Sequence, residues 1–269
     1  MKEKKDYIKF LDEVKWENRK QVDSYLIPSI EIKINDDSVK AELGESKFGG
    51  TPDFSEGIFW PMSDGKPMIF LAQINCKHVS VFDSENLLPK IGFIYFFIAN
   101  PEDYPLDYKV LFSNKEEIKK TNFPELIEDN YKFSEFTMLF ENSFTFPSGE
   151  TLEFESLSEN DKDSYHELDE DFFTYDNNQI LGHTYPAQGD VNLEWACERL
   201  GIDIEDDYDS ELEIIDNKRR EFVNLFQFST ENSVPEFFDN FYMNAMGYFG
   251  IEKNDLINLN FDKTILITQ

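Results

Sequence analysis

The chain has 269 residues, 40% of them hydrophobic, and is long enough to bury a sizeable core in one large domain or two small ones. Its 55 acidic and 25 basic side chains give a formal net charge of -30 at pH 7. A surface this negative repels phosphates and anionic lipids, which argues against nucleic-acid and membrane partners and favours a basic protein partner.

The first part of the chain alternates helix, strand and turn signals. Apolar residues at helical spacing predict an amphipathic N-terminal helix over about residues 5–26, closed by Pro28. Apolar and polar residues then alternate over Ile30–Ile34, as in a half-buried strand. Glycine and proline interrupt Gly49–Pro61, so this segment is predicted to be a turn region. Further strands are predicted at Met68–Asn75, Phe93–Ala99 and Val110–Phe112.

The second part of the chain is more acidic. Glu150–Asp176 contains aromatic residues among its carboxylates, so we expect edge strands or a packed loop there. A second turn region is predicted at Gly182–Asp190. It is followed by a short helix over Asn192–Leu200 that Gly201 caps, and then by the acidic stretch Ile202–Asp216. Strands are predicted at Leu225–Ser229, Gly247–Ile251 and Ile265–Thr268.

Matched spacings indicate an internal duplication. From Gln73 to Gly92 is 19 positions, and from Gln227 to Gly247 is 20. In both parts, a leucine of the next predicted strand follows the glycine by 19 positions. Because these separations agree in order as well as in length, duplication explains them better than chance does.

The predicted fold is therefore α+β and mainly antiparallel β. A single domain over residues 1–269 contains two related β-rich halves packed together, at about residues 28–150 and 177–269. The N-terminal helix and a few short helices complete it.

Several ordered motifs lie in the turn regions and strands. They are Gly49-Gly50-x-Pro52, Trp60-Pro61, Pro67-x-x-Phe70-Leu71-x-Gln73-Ile74-Asn75, Leu88-Pro89-x-x-Gly92-x-x-Tyr95-Phe96-Phe97 and Leu181-Gly182-x-x-Tyr185-Pro186-x-Gln188-Gly189-Asp190. With these motifs, the chain from about Tyr25 onward resembles the YwqG-like family of bacterial domains of unknown function. The resemblance implies an α+β, mainly β fold and no established activity. Members usually carry Trp-Gly-Asp where Met243-Asn244-Ala245 stands here.

Five residues are candidates for ligand binding, and each also has a structural interpretation. Gln73 and Gln227 occupy equivalent strand positions, where a buried amide either ties its turn region to the sheet or contacts a ligand. Gln188 and Asp190 flank a glycine that permits close approach, although Asp190 also suits the cap of the helix that follows. Trp60 is either an aromatic recognition platform or part of the core.

The sequence contains no recognisable catalytic or metal-binding motif. His78, His166 and His183 are scattered, and no CxxC or HExxH spacing is present. The acidic run Asp203–Asp209 lacks the glycine and the final glutamate that an EF-hand loop requires. We therefore expect no catalytic residues, no metal and no cofactor, and loose cation binding at most.

Cysteine content and the N-terminal residues indicate a cytoplasmic protein. Cys76 and Cys197 are too few for a disulfide framework, and the charged Met1–Asp6 does not resemble a secretion signal. No apolar run approaches the roughly 20 residues of a membrane span.

The leading functional hypothesis is a non-catalytic binding protein for a basic protein partner, immunity-like or regulatory. The alternative is a small-molecule binder or hydrolase with a cleft between the two halves. That cleft is predicted to be lined by Gln73, Gln188, Asp190 and Gln227.

Overall fold

The computed structural model describes residues 3–34, 41–99, 106–168, 178–203, 208–230 and 246–269, with the side chains of 208–210 left aside. Its strands are β1 (Ile27–Ile34), β2 (Lys47–Phe48), β3 (Asp53–Ser55), β4 (Met62–Ser63), β5 (Lys66–Pro67), β6 (Ile69–Asn75), β7 (Phe93–Ile98), β8 (Tyr108–Ser113), β9 (Ile118–Lys120), β10 (Phe136–Thr145), β11 (Asn178–Ile180), β12 (Phe222–Ser229), β13 (Met246–Glu252) and β14 (Ile265–Thr268). Its helices are α1 (Lys4–Leu11), α2 (Arg19–Tyr25), α3 (Cys76–Val79), α4 (Leu152–Glu155), α5 (Glu159–His166), α6 (Val191–Leu200), α7 (Tyr208–Arg219) and α8 (Lys253–Ile257). Among the described helices, none is both long and apolar enough to cross a membrane.

Ten strands form one antiparallel sheet in the order β14-β13-β12-β11-β1-β10-β2-β6-β7-β8. The short pairs β3–β9 and β4–β5 are separate. The predicted α+β, mainly antiparallel fold is confirmed. The sheet order is symmetric about the β1–β10 pair. We call β10, β2, β6, β7 and β8 the first side of the sheet, and β1, β11, β12, β13 and β14 the second side.

The two sides pack against each other through aromatic rings. The ring centroid of Phe96 on β7 lies 4.7 Å from that of Phe226 on β12 and 4.9 Å from that of Phe249 on β13. The hydroxyl of Tyr108 on β8 donates to the carbonyl of Thr264, just before β14. The sheet therefore bends so that its two ends approach, and the phenylalanine-rich strands fill the space between them.

Matching irregularities occur on both sides of the sheet. β6 has a register shift between Phe70 and Ala72, and β12 has one between Asn224 and Phe226. After β2, Gly49 and Gly50 have φ of 62° and 66°; after β11, Leu181 and Gly182 have φ of 60° and 75°. Each side thus begins its turn region with two successive left-handed residues. These residues are Gly49, Gly50, Leu181 and Gly182.

The strand registers correct the alignment on which the matched spacings depended. Gln73 faces Tyr95 across β6–β7, and Gln227 faces Tyr248 across β12–β13. Tyr95 and Tyr248 therefore occupy matching positions relative to the two glutamines, whereas Gly92 and Gly247 do not. The glycine match was misleading because it is offset by two positions from the Gln–Tyr register, and such a shift along a strand changes the cross-strand partner.

Strand β1 belongs to the second side of the sheet, although its position in the chain suggests the first side. The sequence places it in the first predicted half, at about residues 28–150, yet it pairs with β11 as well as with β10. Its residues Ile30 and Ile32 are buried in the main core. The strand β10, which the sequence patterns did not reveal, takes the corresponding place on the first side.

The predicted N-terminal helix is two helices, α1 and α2. The chain turns between them because Asp161 of α5 accepts hydrogen bonds from the backbone nitrogens of Glu17 (2.6 Å) and Asn18 (3.1 Å). Asn18 then caps α2, and the indole of Trp16 donates to the carbonyl of Leu11. A continuous helix would use these same backbone groups internally, so the tertiary contacts outcompete it.

The expectation of edge strands or a loop at Glu150–Asp176 was wrong for its described part. Residues 152–155 and 159–166 are helices α4 and α5, each capped at its N-terminus by a hydroxyl, from Thr151 and Ser158 respectively. Their aromatic residues join a second core with the N-terminal helices, which explains the aromatic content of this acidic segment. Residues 169–176 lie outside the described part of the chain.

Candidate functional site

A buried lysine holds two carboxylates together on the first side of the sheet. Lys47 is fully buried, and its Nζ lies 3.0 Å from Asp53 Oδ2 and 3.1 Å from Glu135 Oε2. Gln73 Nε2 donates to the carbonyl of Glu45 (2.9 Å), and Gln73 Oε1 accepts from the backbone nitrogen of Asp53 (2.7 Å). Both ends of the Gln73 amide are engaged, so this side chain ties the first turn region to the sheet.

Gln227 anchors the second turn region in a similar way. Its Oε1 accepts from the backbone nitrogen of Tyr185 (3.2 Å), while the hydroxyl of Tyr248 donates to the carbonyl of Tyr185 (2.7 Å). On the first side, the hydroxyl of Tyr95 donates to the carbonyl of Asp53 (2.9 Å). Each turn region is therefore held by a glutamine and a tyrosine from adjacent strands.

Trp60 packs in the core and also borders an apolar cavity. Its ring centroid lies 6.1 Å from that of Phe54 and 5.7 Å from that of Phe97, and its Nε1 donates to the carbonyl of Met68. The cavity beside it has a volume of about 660 Å³. Phe59, on its rim, is 80% exposed. The apolar residues that line it are Phe54, Ile58, Phe59, Trp60, Ile118 and Pro124.

A second cavity, of about 140 Å³, lies between the loop after α3 and the second turn region. We call it the polar cavity because charged and polar side chains from several elements line it. The polar side chains that line it are Glu85, Thr151, Glu153, His183, Thr184, Asp190, Asn192, Arg219, Arg220 and Asn224.

Asp190 and Arg219 form the charged wall of the polar cavity. Asp190 caps α6 through its Oδ1, which accepts from the backbone nitrogen of Asn192 (2.9 Å), and its Oδ2 accepts from Arg219 (3.0 Å). Burial raises the pKa of Asp190 to about 6, although Arg219 acts in the opposite direction. Arg219 is 2% exposed and also contacts Glu155 and Asp216, each at 2.9 Å.

His183 is fixed at the edge of the polar cavity by its backbone and its ring. Its Nε2 lies 2.8 Å from the carbonyl of Tyr25, and its backbone nitrogen donates to Thr145 Oγ1. Burial lowers the pKa of His183, while the carboxylate of Glu153 acts to raise it. Because a carbonyl only accepts, Nε2 carries the proton, and in the neutral ring Nδ1 keeps its lone pair.

The structure does not bring the predicted cleft residues together. Asp190 lines the polar cavity, and Trp60 lines the apolar one. Gln188 is exposed, and its backbone N–H already donates to Oε1 of Gln269 (3.0 Å). Gln73 and Gln227 are fully buried and line neither cavity. The described structure therefore shows no single cavity that these glutamines and Asp190 line together, and Asp190 caps α6 as its structural interpretation predicts.

Sequence reasoning missed Lys47, Glu153 and Arg219 as site residues, and it treated His183 as a scattered histidine that belongs to no metal-binding or catalytic motif. Arg219 offered a weak signal, since it follows Asp216 by three positions at the end of an acidic stretch. Lys47 and Glu153 gave none, because Glu135 reaches Lys47 from 88 positions away and Glu153 meets the other cavity residues only in the folded chain.

Metal and thiol chemistry find little support in the described residues. Over the described ranges, no group of three or more His, Cys, Asp or Glu side chains is arranged to hold a metal ion. The acidic run Asp203–Asp209 extends outside those ranges. Burial raises the pKa of Cys76 to about 12 and raises that of Cys197, so little thiolate forms at neutral pH.

Residues 46–269 match the family described as Domain of unknown function (DUF1963). The chain belongs to this family. No curated protein matches the chain. The DUF1963 match begins before β2 and therefore contains both cavities except for Ile27 and Pro28 of β1, which border the polar cavity. Helices α1 and α2 precede the match, and Met243-Asn244-Ala245 lies outside the described residues.

Proposed function

We propose that this DUF1963 protein is a non-catalytic binding protein for a basic protein partner, immunity-like or regulatory. The observation that carries the proposal is the acidic helical layer, defined as α4, α5 and α7 with the residues that adjoin them. Glu150, Asp163 and Glu167 in this layer are exposed and form no ion pair within the described part of the chain.

Unpaired surface carboxylates favour a cationic partner. They attract it over a Debye length of about 10 Å at 0.1 M salt and accelerate its association. Helix α7 also exposes apolar side chains, with Leu212 39% and Ile214 52% exposed. A layer that combines uncompensated charge with exposed apolar groups suits a protein partner better than free cations, because apolar contacts add affinity that salt does not screen.

The experiment is a capture assay followed by a quantitative binding measurement. The intact protein serves as bait in a native lysate, each captured protein is identified, and its affinity is measured by calorimetry between 50 and 500 mM NaCl. We expect a basic protein whose affinity falls at least tenfold over that range. Affinity that does not change with salt contradicts the proposal.

A matched pair of charge-reversal variants tests where the partner binds. Glu150→Lys/Asp163→Lys/Glu167→Lys reverses charge in the acidic helical layer. Glu116→Lys/Glu117→Lys/Asp262→Lys changes the net charge equally at exposed sites elsewhere. We expect the first variant to lose at least tenfold in affinity and the second to retain most of it. Equal losses would mean that net charge alone acts and that the layer is not the binding site.

The apolar cavity favours a second candidate function, the binding of a small apolar ligand. At about 660 Å³ it falls in the size range of ligand sites, and aromatic and aliphatic side chains dominate its lining. Nile red is a suitable probe, and its fluorescence is expected to rise on binding. Ile118→Glu should abolish this rise, whereas the exposed control Val81→Glu should not. An equal response in both variants contradicts a site in this cavity.

We further propose that the two sides of the sheet arose by duplication, with β1 completing the second side as β10 completes the first. The shared turn geometry and the Gln–Tyr pairs support this. Superposition of β2, β6, β7 and β8 on β11, β12, β13 and β14 tests it. If only β6 and β12 superpose and the Cα atoms of the other three strand pairs fit poorly, the result counts against duplication.

We also propose that the protein is a bacterial, cytoplasmic member of the YwqG-like group. The motifs that carry the resemblance and the two buried free cysteines support this proposal. Fractionation of the source cells tests the location. Recovery of the protein outside the cytoplasmic fraction contradicts it.

A further inference from the structure

The polar cavity contains hydrogen-bond acceptors that the chain itself leaves unused. Asn224 is 2% exposed, and its Oδ1 has no hydrogen-bond partner. His183 Nε2 is committed to the carbonyl of Tyr25, and Nδ1 makes no hydrogen bond in the described structure. The carboxylate of Glu153, a half-buried residue, also forms no hydrogen bond or ion pair there. A buried acceptor without a donor is costly, so Asn224 Oδ1 calls for a donor from outside the chain, and His183 Nδ1 and the Glu153 carboxylate are acceptors available beside it.

The cavity is lined by three acidic side chains, Glu85, Glu153 and Asp190, and by two arginines, Arg219 and Arg220, so the acidic groups are in excess and favour a cation. The guanidinium of Arg219 is surrounded by the carboxylates of Asp190, Glu155 and Asp216, which more than offset its charge. Arg219 Nε has no hydrogen-bond partner, but it belongs to this neutralised group. Glu153 adds a further carboxylate, which forms no ion pair within the described residues.

Glu153 lies close enough to the other lining groups to act on them. Its negative charge raises the pKa of His183 and also raises that of Asp190. Glu153 of α4 lines the cavity together with both of these residues of the second turn region. A cation placed beside it relieves its repulsion with Asp190.

The cavity is small. Its volume of about 140 Å³ corresponds to a few water molecules at about 30 Å³ each. It therefore admits the end of a chain or a compact molecule and excludes a bulky ring system.

We propose that the polar cavity binds a primary ammonium group. Its three N–H donors match three acceptors, namely the Glu153 carboxylate, His183 Nδ1 and Asn224 Oδ1. The ammonium is either that of a small free alkylamine or that of a lysine side chain on a protein. The site shares Glu153 of α4 and Arg219 of α7 with the acidic helical layer, but it is a cavity and not the exposed surface of that layer, and amine binding is measured separately from partner binding.

Calorimetry with three probes at pH 7.5 and constant ionic strength tests the proposal on the full-length protein. The probes are n-butylammonium, tetramethylammonium and a short neutral-flanked peptide with one lysine. We expect binding of butylammonium, of the lysine peptide or of both, and at least tenfold weaker binding of tetramethylammonium, which has no N–H donor. Butylammonium alone identifies a free amine as the ligand, and the peptide alone identifies a lysine side chain. Equal binding of tetramethylammonium, or no binding of either amine, overturns the proposal.

Substitutions locate the site. Glu153→Gln keeps the shape of the side chain and removes its charge, and we expect at least a tenfold loss of amine affinity. The control Glu116→Gln removes an exposed charge that neither lines the cavity nor belongs to the acidic helical layer, and it should leave affinity unchanged. Equal affinity in the two variants overturns the proposal. A thermal unfolding curve verifies that Glu153→Gln is folded, and the His183 ring resonances in NMR should shift on amine addition to the wild type.

Discussion

Buried charged side chains hold each turn region in this protein, and their partners could not be predicted from local sequence. Lys47 and Arg219 are both almost completely buried, and each contacts at least two carboxylates. Nothing in the residues next to Lys47 predicts its burial, because Glu135 reaches it from 88 positions further along the chain. The sequence patterns single out Gln73 and Gln227, but whether these residues serve the fold or a ligand depends on such distant partners.

Removing the buried charge of Lys47 should strongly destabilise the protein. Lys47→Met leaves Asp53 and Glu135 buried without their shared cation, and breaking a buried pair in this way costs about 3–5 kcal/mol. Urea unfolding measures the change in free energy.

The control for Lys47→Met is Lys33→Met. Lys33 pairs with Glu141, but its side chain is 45% exposed, so a change of at most about 1 kcal/mol is expected. Similar losses in the two variants would show that burial does not decide the cost.

Asp190 should make stability depend on pH in a defined direction. Its folded pKa of about 6 lies above the ordinary 3.8, so the protonated carboxyl is favoured in the folded state. This contribution is fully present below about pH 4 and is lost as pH rises through about 6. Relative to Asp190→Asn, the wild type should therefore lose about 2–3 kcal/mol of unfolding free energy between pH 4 and 7.

Urea unfolding of both proteins at a series of pH values measures this difference. Titration of the other carboxyl groups cancels in the comparison, since both proteins share them. A difference that stays constant over pH 4–7, or one that grows in favour of the wild type, contradicts the raised pKa.

Strands and helices were predicted with unequal success, and the errors have a common cause. The strands at β6, β7, β8, β12, β13 and β14 were located because apolar runs bounded by turn residues mark a buried strand. The break between α1 and α2 was missed because Asp161 supplies it from outside the local segment. Strand β10 was missed because its residues are mostly half-buried and give no clear alternation.

The docking of α6 on β13 requires a residue without a side chain at position 250. Trp195 of α6 is fully buried, and a Cβ at Gly250 would lie 2.2 Å from its ring. Gly250→Ala should therefore force Trp195 to shift and cost about 1–3 kcal/mol, as overpacking generally does. Thermal unfolding and the fluorescence of Trp195 measure the effect.

Gly149→Ala is the matched control, because nothing lies within 4 Å of a Cβ built there. It should change stability by less than about 0.5 kcal/mol. A neutral Gly250→Ala with unchanged fluorescence would mean that α6 does not pack closely on β13.

The excess of negative charge should affect the stability of the chain as a whole. A net charge of -30 makes the compact state repel itself, and added salt screens this repulsion. We expect the melting temperature in calorimetry to rise between 50 and 500 mM NaCl. Sucrose at equal osmolarity serves as an uncharged control, and a melting temperature that falls with NaCl contradicts the effect.

Acidity, the positions of most strands and the two turn regions follow from composition and local patterns, because each depends on residues that are close along the chain. The pairing of β1 with both β10 and β11, and the bending that brings Phe96 against Phe249, depend on contacts between distant segments. The polar cavity has the same origin, since Glu153, His183 and Asn224 come from three separate elements. Local patterns report which apolar strand residues are buried, and the folded chain decides which groups those residues meet and which polar side chains are buried with them.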